Sequence, residues 1–180
     1  MIRVFEDVQR FICGTVGQPG ERTFFIQART AYAFASLSVE KSQVQALGER
    51  LRYMVREIRS AHPLTQISSP VKDGAPLDTP IEDDFRVGSI ALFFDAETEL
   101  IQVDLRDSQS DLNFGEDQES DDEISPDIEI VRVFIKADQA LTFADRADAL
   151  IGAGRLPCPF CGAPISSGGH LCARANGYRR

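Results

Sequence analysis

Histidine is scarce in this chain of 180 residues, which holds only His62 and His170. A Ser-His-Asp or Cys-His catalytic centre would have to use one of them, because each centre needs an imidazole as its base. His62 stands before Pro63 at an expected helix end and predicts a surface cap, whereas His170 lies inside a cysteine motif. The glycine loops that bind phosphate, Gly-x-Gly-x-x-Gly and Gly-x-x-x-x-Gly-Lys-Ser/Thr, do not occur. The sequence therefore gives little support to these common enzyme classes.

Long hydrophobic runs are missing as well, since no apolar stretch approaches the roughly 20 residues that a membrane span needs. The first residues, from Met1 to Asp7, lack the apolar centre of a secretory signal. We therefore expect a soluble, cytoplasmic protein. Three of the four cysteines lie together near the C-terminus, which argues against a secreted disulfide framework. The fourth, Cys13, lies in a strand-like run and is expected to be a small core residue.

Basic residues are nearly absent from the middle of the chain, whose net charge is −9. Residues 73–129 hold nineteen acids and two bases, whereas the segments on either side are net positive. The stretch Asp107 to Asp127 has nine acids, no base and few large apolar side chains, so we predict a disordered loop. Both a solvated insertion and a docking segment for a basic partner fit this composition. Ser68 to Pro80 is rich in proline and predicts a linker.

Outside those stretches the chain falls into two similar halves, each predicted as three strands followed by a helix. The strand-like runs of the first half are Arg10 to Gly14, Thr23 to Ala28 and Tyr32 to Leu37. Ser38 is expected to cap an amphipathic helix that ends at His62. The outer face of this helix is basic and carries Lys41, Arg50, Arg52, Arg56 and Arg59.

The second half repeats this order. Its strand-like runs are Phe85 to Phe94, Glu99 to Leu105 and Ile128 to Ile135. Asp138 is then expected to cap a helix that runs to about Ile151. The two halves, residues 9–62 and 84–152, suggest a duplication as one interpretation. We predict an α+β fold, an antiparallel sheet with helices on one side, in a domain at 1–152 that precedes a small module at 153–180.

The strongest chemical signal is a set of four metal-ligating residues, Cys158, Cys161, His170 and Cys172. A Cys-x-x-Cys pair presents two sulfur atoms to one ion, and the His-x-Cys pair can supply two more ligands. Four protein ligands leave no open coordination position, so we predict a structural Zn²⁺ rather than a catalytic one. A thioredoxin-like redox pair is an alternative, but it would not need His170 and Cys172. A nucleobase deaminase is excluded, because the His-x-Glu that it requires upstream is missing.

The tail after the last cysteine is basic. The residues that could bind a partner there are Arg174, Asn176, Tyr178, Arg179 and Arg180. Arginine can contact phosphate and tyrosine can stack on a base, which would indicate nucleic-acid binding. We favour an arm that folds back and pairs with the acidic middle of the chain, because the rest of the protein repels phosphate.

Several of these segments together resemble a known family. The run Gly14 to Ala28, the segment Val39 to Val44 and the ending Cys158 to Arg180 are similar to an actinobacterial family called domain of unknown function 3090. The acidic stretch Asp107 to Asp127 departs from it, being longer and more charged than expected. The resemblance implies no established activity; it implies a cytoplasmic protein with a C-terminal zinc motif. It also suggests a protein partner, with a phosphatase or a kinase-like protein as candidates.

Two functions fit the sequence. In the first, zinc holds the C-terminal module of a binding or adaptor protein, and the basic helix face or the tail from Arg174 to Arg180 contacts a partner. A flat sheet face with exposed aromatic side chains would favour this function. In the second, an enzyme or enzyme subunit acts on a phosphorylated small molecule, with Arg22, Arg29 or Arg52 as anion ligands. A pocket lined by Arg22, Arg29 and Tyr32 would favour the second function. We expect the first, because no pair of nucleophile and base is visible.

Overall fold

The computed structural model describes residues 1–108, 128–153, 157–163, 165, 171–172 and 174. The strands in these residues are β1 (Ile2–Phe5), β2 (Arg10–Val16), β3 (Thr23–Arg29), β4 (Phe34–Val39), β5 (Val87–Asp95), β6 (Leu100–Asp107) and β7 (Ile130–Ile135). The helices are α1 (Lys41–Ala61) and α2 (Ala137–Gly152). The predicted acidic loop lies outside the described residues, except for Asp107, which ends β6, and Ser108.

The fold is α+β, which confirms the predicted class. Each of the six predicted strands is present, with both ends within two residues of the expected positions. β1 is an addition that the sequence did not predict; it runs parallel to β7, with Ile2 opposite Ile130. Neither helix, nor any other in the described part of the chain, is long and apolar enough to cross a membrane.

The strands form two sheets that meet at one edge. β2, β3 and β4 make an antiparallel three-stranded sheet, and the second sheet has the order β1-β7-β6-β5. The sheets meet where Ser38 of β4 lies beside Arg86 in a parallel bridge. Two backbone hydrogen bonds fasten this junction, from the Ser38 N–H to the Phe85 carbonyl at 3.2 Å and from the Asp84 N–H to the Ser36 carbonyl at 2.8 Å.

A single hydrophobic core joins the two halves. It includes buried residues from every strand and from both helices. The helix of the second half packs on the sheet of the first, since Phe143 of α2 stacks on Phe11 of β2 with ring centroids 4.9 Å apart. The two helices approach each other closely at Gly48, where a Cβ atom would lie 3.1 Å from the Cβ of Ala147. The body of the protein is therefore one packing unit.

Both predicted helix caps are wrong. Ser38 belongs to β4, which continues to Val39 because Val39 pairs with Phe24 of β3. The helix instead starts after Glu40, whose N–H donates to the side chain of Gln43 at 2.9 Å. Likewise Lys136 rather than Asp138 precedes α2, and its N–H donates to the side chain of Gln139 at 2.9 Å. In both helices a glutamine side chain in the first turn accepts a hydrogen bond from the backbone N–H of the residue before the helix, as in a capping box.

Residues 73–80 of the predicted linker, Ser68 to Pro80, belong to a packed strap, defined here as residues 73–81. It crosses the outer face of the three-stranded sheet, where Leu77 and Ile81 pack against Ile12 and Phe25. The side chain of Gln27, which is buried, exchanges two hydrogen bonds with the backbone of Asp78, at 2.8 and 3.0 Å. The strap therefore covers an apolar sheet face that would otherwise contact water.

Ionic contacts fasten the strap to the body. Asp73 lies between two arginines, with its carboxylate 2.6 Å from Arg10 Nε and 3.2 Å from Arg146 Nη1. Arg146, from α2, also donates to the carbonyls of Asp73 and Cys13. The hydrogen bond from Arg10 lowers the pKa of Asp73 below its ordinary value, although burial opposes the shift. One carboxylate thus links the strap, β2 and α2.

We expect Gly48→Leu to push the two helices apart, because the contact with Ala147 leaves no room for a side chain. Overpacking of this kind should lower the free energy of unfolding by about 1–3 kcal/mol, measured by chemical denaturation. Ala46→Leu is the matched control on the exposed side of α1 and should change stability by less than about 0.5 kcal/mol. Equal stability of the two variants would contradict the close helix contact.

Asp73→Asn keeps the shape of the side chain and removes its charge, so Arg10 and Arg146 lose a shared partner. We expect the free energy of unfolding to fall by about 2 kcal/mol at neutral pH. Because the pKa of Asp73 is lowered in the folded state, its charge stabilises the protein above the ordinary pKa of 3.8 and ceases to do so as the pH falls below it.

The stability gap between wild type and Asp73→Asn should therefore narrow between about pH 6 and about pH 3, as measured by denaturant unfolding. Asp145→Asn is a suitable control, since Asp145 forms an exposed ion pair with Arg52. Its effect should stay below about 1 kcal/mol at both pH values. A gap for Asp73→Asn that does not change with pH would show that its charge is not the stabilising feature.

Candidate metal centre

A short hydrogen-bonded turn presents the first two cysteines of the motif. The Cys158 N–H donates to the Ala163 carbonyl, and the Gly162 N–H donates to the Cys158 carbonyl, both at 2.8 Å. Gly162 has a φ of +75°, a conformation that favours glycine. The Phe160 N–H points at Cys158 Sγ, at 3.4 Å. This turn places the side chains of Cys158 and Cys161 on the same side, as the spacing of a metal knuckle predicts.

Cys172 joins these two residues. The three Sγ atoms all lie within 4.8 Å of one another, and those of Cys158 and Cys172 are 3.8 Å apart. Zinc–sulfur bonds of about 2.3 Å in a tetrahedron place two sulfur atoms about 3.8 Å apart. None of the three cysteines is in a disulfide bond, and Cys158 and Cys172 are buried. The cluster therefore has the spacing of metal ligands rather than of a disulfide, whose sulfur atoms are about 2.05 Å apart.

The thiols influence one another's acidity. Burial raises the pKa of Cys158, but hydrogen bonds from the backbone N–H groups of Cys161 and Phe160 and from the thiols of Cys161 and Cys172 together lower it overall. The Ala163 N–H lowers the pKa of Cys161, yet burial and the neighbouring sulfur atoms of Cys172 and Cys158 raise it overall. Three thiolates this close together repel each other, and a divalent cation is the partner that would stabilise all three.

Family membership follows from the sequence as a whole. Residues 3–172 match a family described as "Protein of unknown function (DUF3090)". The chain belongs to this family. The matched region spans both sheets, both helices and the three clustered cysteines, which confirms the family identified from the sequence segments. Comparisons with curated proteins and with solved structures gave no match.

The DUF3090 description names no activity. Of the other site residues predicted within residues 153–180, only Arg174 is among the residues that the structure describes. His170 lies outside the described residues, as do Asn176, Tyr178, Arg179 and Arg180. Arg174 is described and exposed, and its guanidinium lies 3.4 Å from the Phe160 carbonyl. The first arginine of the tail therefore contacts the metal knuckle itself.

The arginines predicted to bind an anion do not share a pocket. Arg22 precedes β3 and Arg29 ends it, so the strand separates them, and Tyr32 is fully exposed. Arg29 pairs with Asp78 at 3.1 Å, and Arg52 pairs with Asp145 and Asp148 across the two helices. The described residues therefore do not form the pocket of Arg22, Arg29 and Tyr32 that would have favoured the enzyme.

The two residues most open to a catalytic interpretation are structural. His62 ends α1, where its N–H donates to the Ile58 carbonyl, and its ring lies 5.5 Å from the ring of Phe94. Cys13 is completely buried, and burial raises the pKa of its thiol to about 12. Both observations agree with their interpretation from sequence as a cap and a core residue. In the described ranges, no side chain is hydrogen-bonded to the imidazole of His62, and the Thr65 N–H donates only to the His62 carbonyl.

We expect Cys161→Ser to remove one of three clustered ligands. Protein purified without chelator should carry about one metal ion per chain in the wild type and well under half of that in the variant, by elemental analysis. Hydrogen exchange should accelerate at residues 157–174 and stay unchanged at residues 1–105, because those residues have their own core.

Cys13→Ala provides the matched control, since it removes a buried thiol outside the cluster. This variant should lose stability but keep its metal. Wild-type protein with almost no metal, or equal metal loss in both variants, would contradict the site.

Proposed function

We propose that the protein is a binding or adaptor protein whose C-terminal module is held together by a structural Zn²⁺. Thiolates are soft ligands that zinc binds well, and the sulfur spacing in the cluster supports this ion. His170 is the fourth ligand in the proposal, because it stands two residues before Cys172. With four protein ligands the ion has no position left for a substrate, so its role is to stabilise the module.

The observation that carries the binding role is the outer face of the four-stranded sheet. Strand register places three rows of side chains across it: Ser89, Arg106, Ile130 and Ile2; Ala91, Asp104, Arg132 and Val4; and Phe93, Gln102 and Phe134. Large apolar side chains are exposed here, with Phe93 at 53%, Val4 at 51% and Ile2 at 41% of their full accessibility. The exposed aromatic side chain of Phe93 on this sheet face favours an adaptor.

The middle row of this face is polar but carries no net charge, while Arg106 in the first row adds one positive charge. Arg132 donates two hydrogen bonds to Asp104, at 2.7 and 2.8 Å, and Gln102 donates a third at 2.9 Å. Asp104 is only 1% exposed, so its carboxylate is already satisfied by these donors. A surface with exposed apolar side chains around a neutral polar centre suits contact with another protein. We therefore propose a protein partner that places apolar side chains against Phe93 and Val4.

The partner that we propose is a phosphatase or a kinase-like protein in the cytoplasm. The alternative function, an enzyme that acts on a phosphorylated small molecule, has less support. Its predicted arginines lie apart, and the one described histidine ends a helix. A catalytic centre needs an acid or base beside a nucleophile, and His62 has no such neighbour among the described residues.

We expect Phe93→Glu to weaken the complex with the partner at least tenfold, which corresponds to about 1.4 kcal/mol, because the substitution puts a charge into an apolar contact. Affinity capture with chemical cross-linking identifies the partner, and calorimetry with the purified pair measures the affinity. Tyr32→Ser is the matched control, since Tyr32 is fully exposed on the turn between β3 and β4, outside this face.

Cross-links should join the partner to β1, β5 or β7. Unchanged affinity of Phe93→Glu, or cross-links confined to the helices, would contradict this surface as the binding site. Cys161→Ser tests the contribution of the zinc module in the same assay. If Cys161→Ser changes the affinity and Phe93→Glu does not, the partner binds the C-terminal module rather than the sheet.

A further inference from the structure

A cavity lies where the two halves of the fold meet. Its walls come from the β2–β3 turn, the end of β4, the start of α1, the start of the second half at Arg86 and the end of α2 at Leu150. Its volume is about 570 Å³, within the range of sites that bind small molecules. The cavity lies apart from the three clustered cysteines, none of which lines it.

Three cationic side chains from different elements line this cavity. Arg22 precedes β3, Lys41 is the first residue of α1 and Arg86 precedes β5. Glu40 is the one acidic residue in the described lining, and it pairs with Arg86 at 2.6 Å. Lys41 and Arg22 form no ion pair with any carboxylate in the described residues. The cavity therefore has an excess of positive charge in a protein whose net charge is −9.

Arg22 is held in place by an acceptor that an anion could replace. Its Nη1 donates to the Ala153 carbonyl at 3.0 Å, just past the end of α2. A guanidinium has five N–H donors, so most of them stay available to a ligand. Arg86 also keeps donors beyond the one that contacts Glu40, and both side chains of that pair are more than half exposed. Exposed pairs of this kind are weak and exchange partners readily.

The cavity also has an apolar side. Leu150 of α2 is partly exposed and offers apolar surface to a ligand, whereas Phe24 and Val39 keep only 7% exposure each and add little. An inorganic ion would leave this surface in contact with water. A ligand with an apolar part would cover it and gain the free energy of burying both surfaces.

We propose that this cavity binds a small molecule that carries both a phosphate group and an apolar part. Arg22, Lys41 and Arg86 contact the phosphate, while Phe24 and Leu150 contact the apolar part. Phosphate suits three cations that approach from separate elements, because its oxygens point in several directions, whereas a carboxylate offers two oxygens in one plane. The proposal concerns binding only, and it does not depend on the zinc module or on the outer sheet face.

Calorimetry with phenyl phosphate tests this proposal, with inorganic phosphate, phenylacetate and benzyl alcohol as comparison probes. Phenyl phosphate should bind saturably and more tightly than each of the other three. Lys41→Gln should weaken its binding about tenfold, the usual effect of losing one charged hydrogen bond. Arg59→Gln removes an exposed cation of the same helix outside the cavity and should leave binding unchanged.

Arg22→Gln is a second test of phenyl phosphate binding, because Arg22 lies on a different element from Lys41. Its thermal unfolding must be measured too, since the contact with Ala153 is lost. Absence of saturable binding to phenyl phosphate would overturn the proposal, as would equal loss in Arg59→Gln. Phenylacetate bound as tightly as phenyl phosphate would overturn the choice of phosphate.

Discussion

The close approach of α1 and α2 is the constraint on which the rest of the structure depends. α1 follows the first sheet and α2 follows the second, yet α2 packs on β2, where Phe143 stacks on Phe11. α2 can pack on the first sheet beside α1 only if the two helices lie nearly in contact. Gly48 against Ala144 and Ala147 provides that contact, because none of the three has a side chain beyond a methyl group. A bulkier residue there would separate the helices and open the core that both sheets share.

The hydrophobic core covers one face of each sheet, and the two sheets differ in what covers the opposite face. The strap covers the three-stranded sheet, although Leu77 is its only buried apolar residue. One leucine contributes about 1.5–3 kcal/mol by burial, which is small against the entropy of ordering nine residues. The ionic contacts of Asp73 and the backbone hydrogen bonds of Asp78 are therefore needed to hold the strap. No described segment covers the four-stranded sheet in this way, and Phe93, Val4 and Ile2 on its outer face stay exposed.

The sequence predicts what depends on local pattern and misses what depends on distant pairing. Alternation in Ile101, Val103 and Leu105 predicts β6 because its period is local, and the same holds for the cysteine spacing of the metal knuckle. β1 has only four residues and pairs with β7, more than 120 residues away, so its own pattern is too short to identify it. Ser38 resembles a helix cap by residue type, but its pairing in β4 decides its conformation. The strap resembles a linker because it is rich in proline and has a single buried apolar residue, Leu77.

Ion pairing explains why positive charge remains in the cavity of an acidic protein. Arg10, Arg132 and Arg146 each lie against an aspartate that the fold brings to them, and those contacts neutralise the interior. Arg22 meets a backbone carbonyl instead, and Lys41 meets no carboxylate in the described residues. Charges farther than about 8 Å from a ligand are largely screened at physiological ionic strength. The overall charge of −9 therefore slows the approach of an anion but does not prevent its binding, which depends on the few side chains that line the cavity.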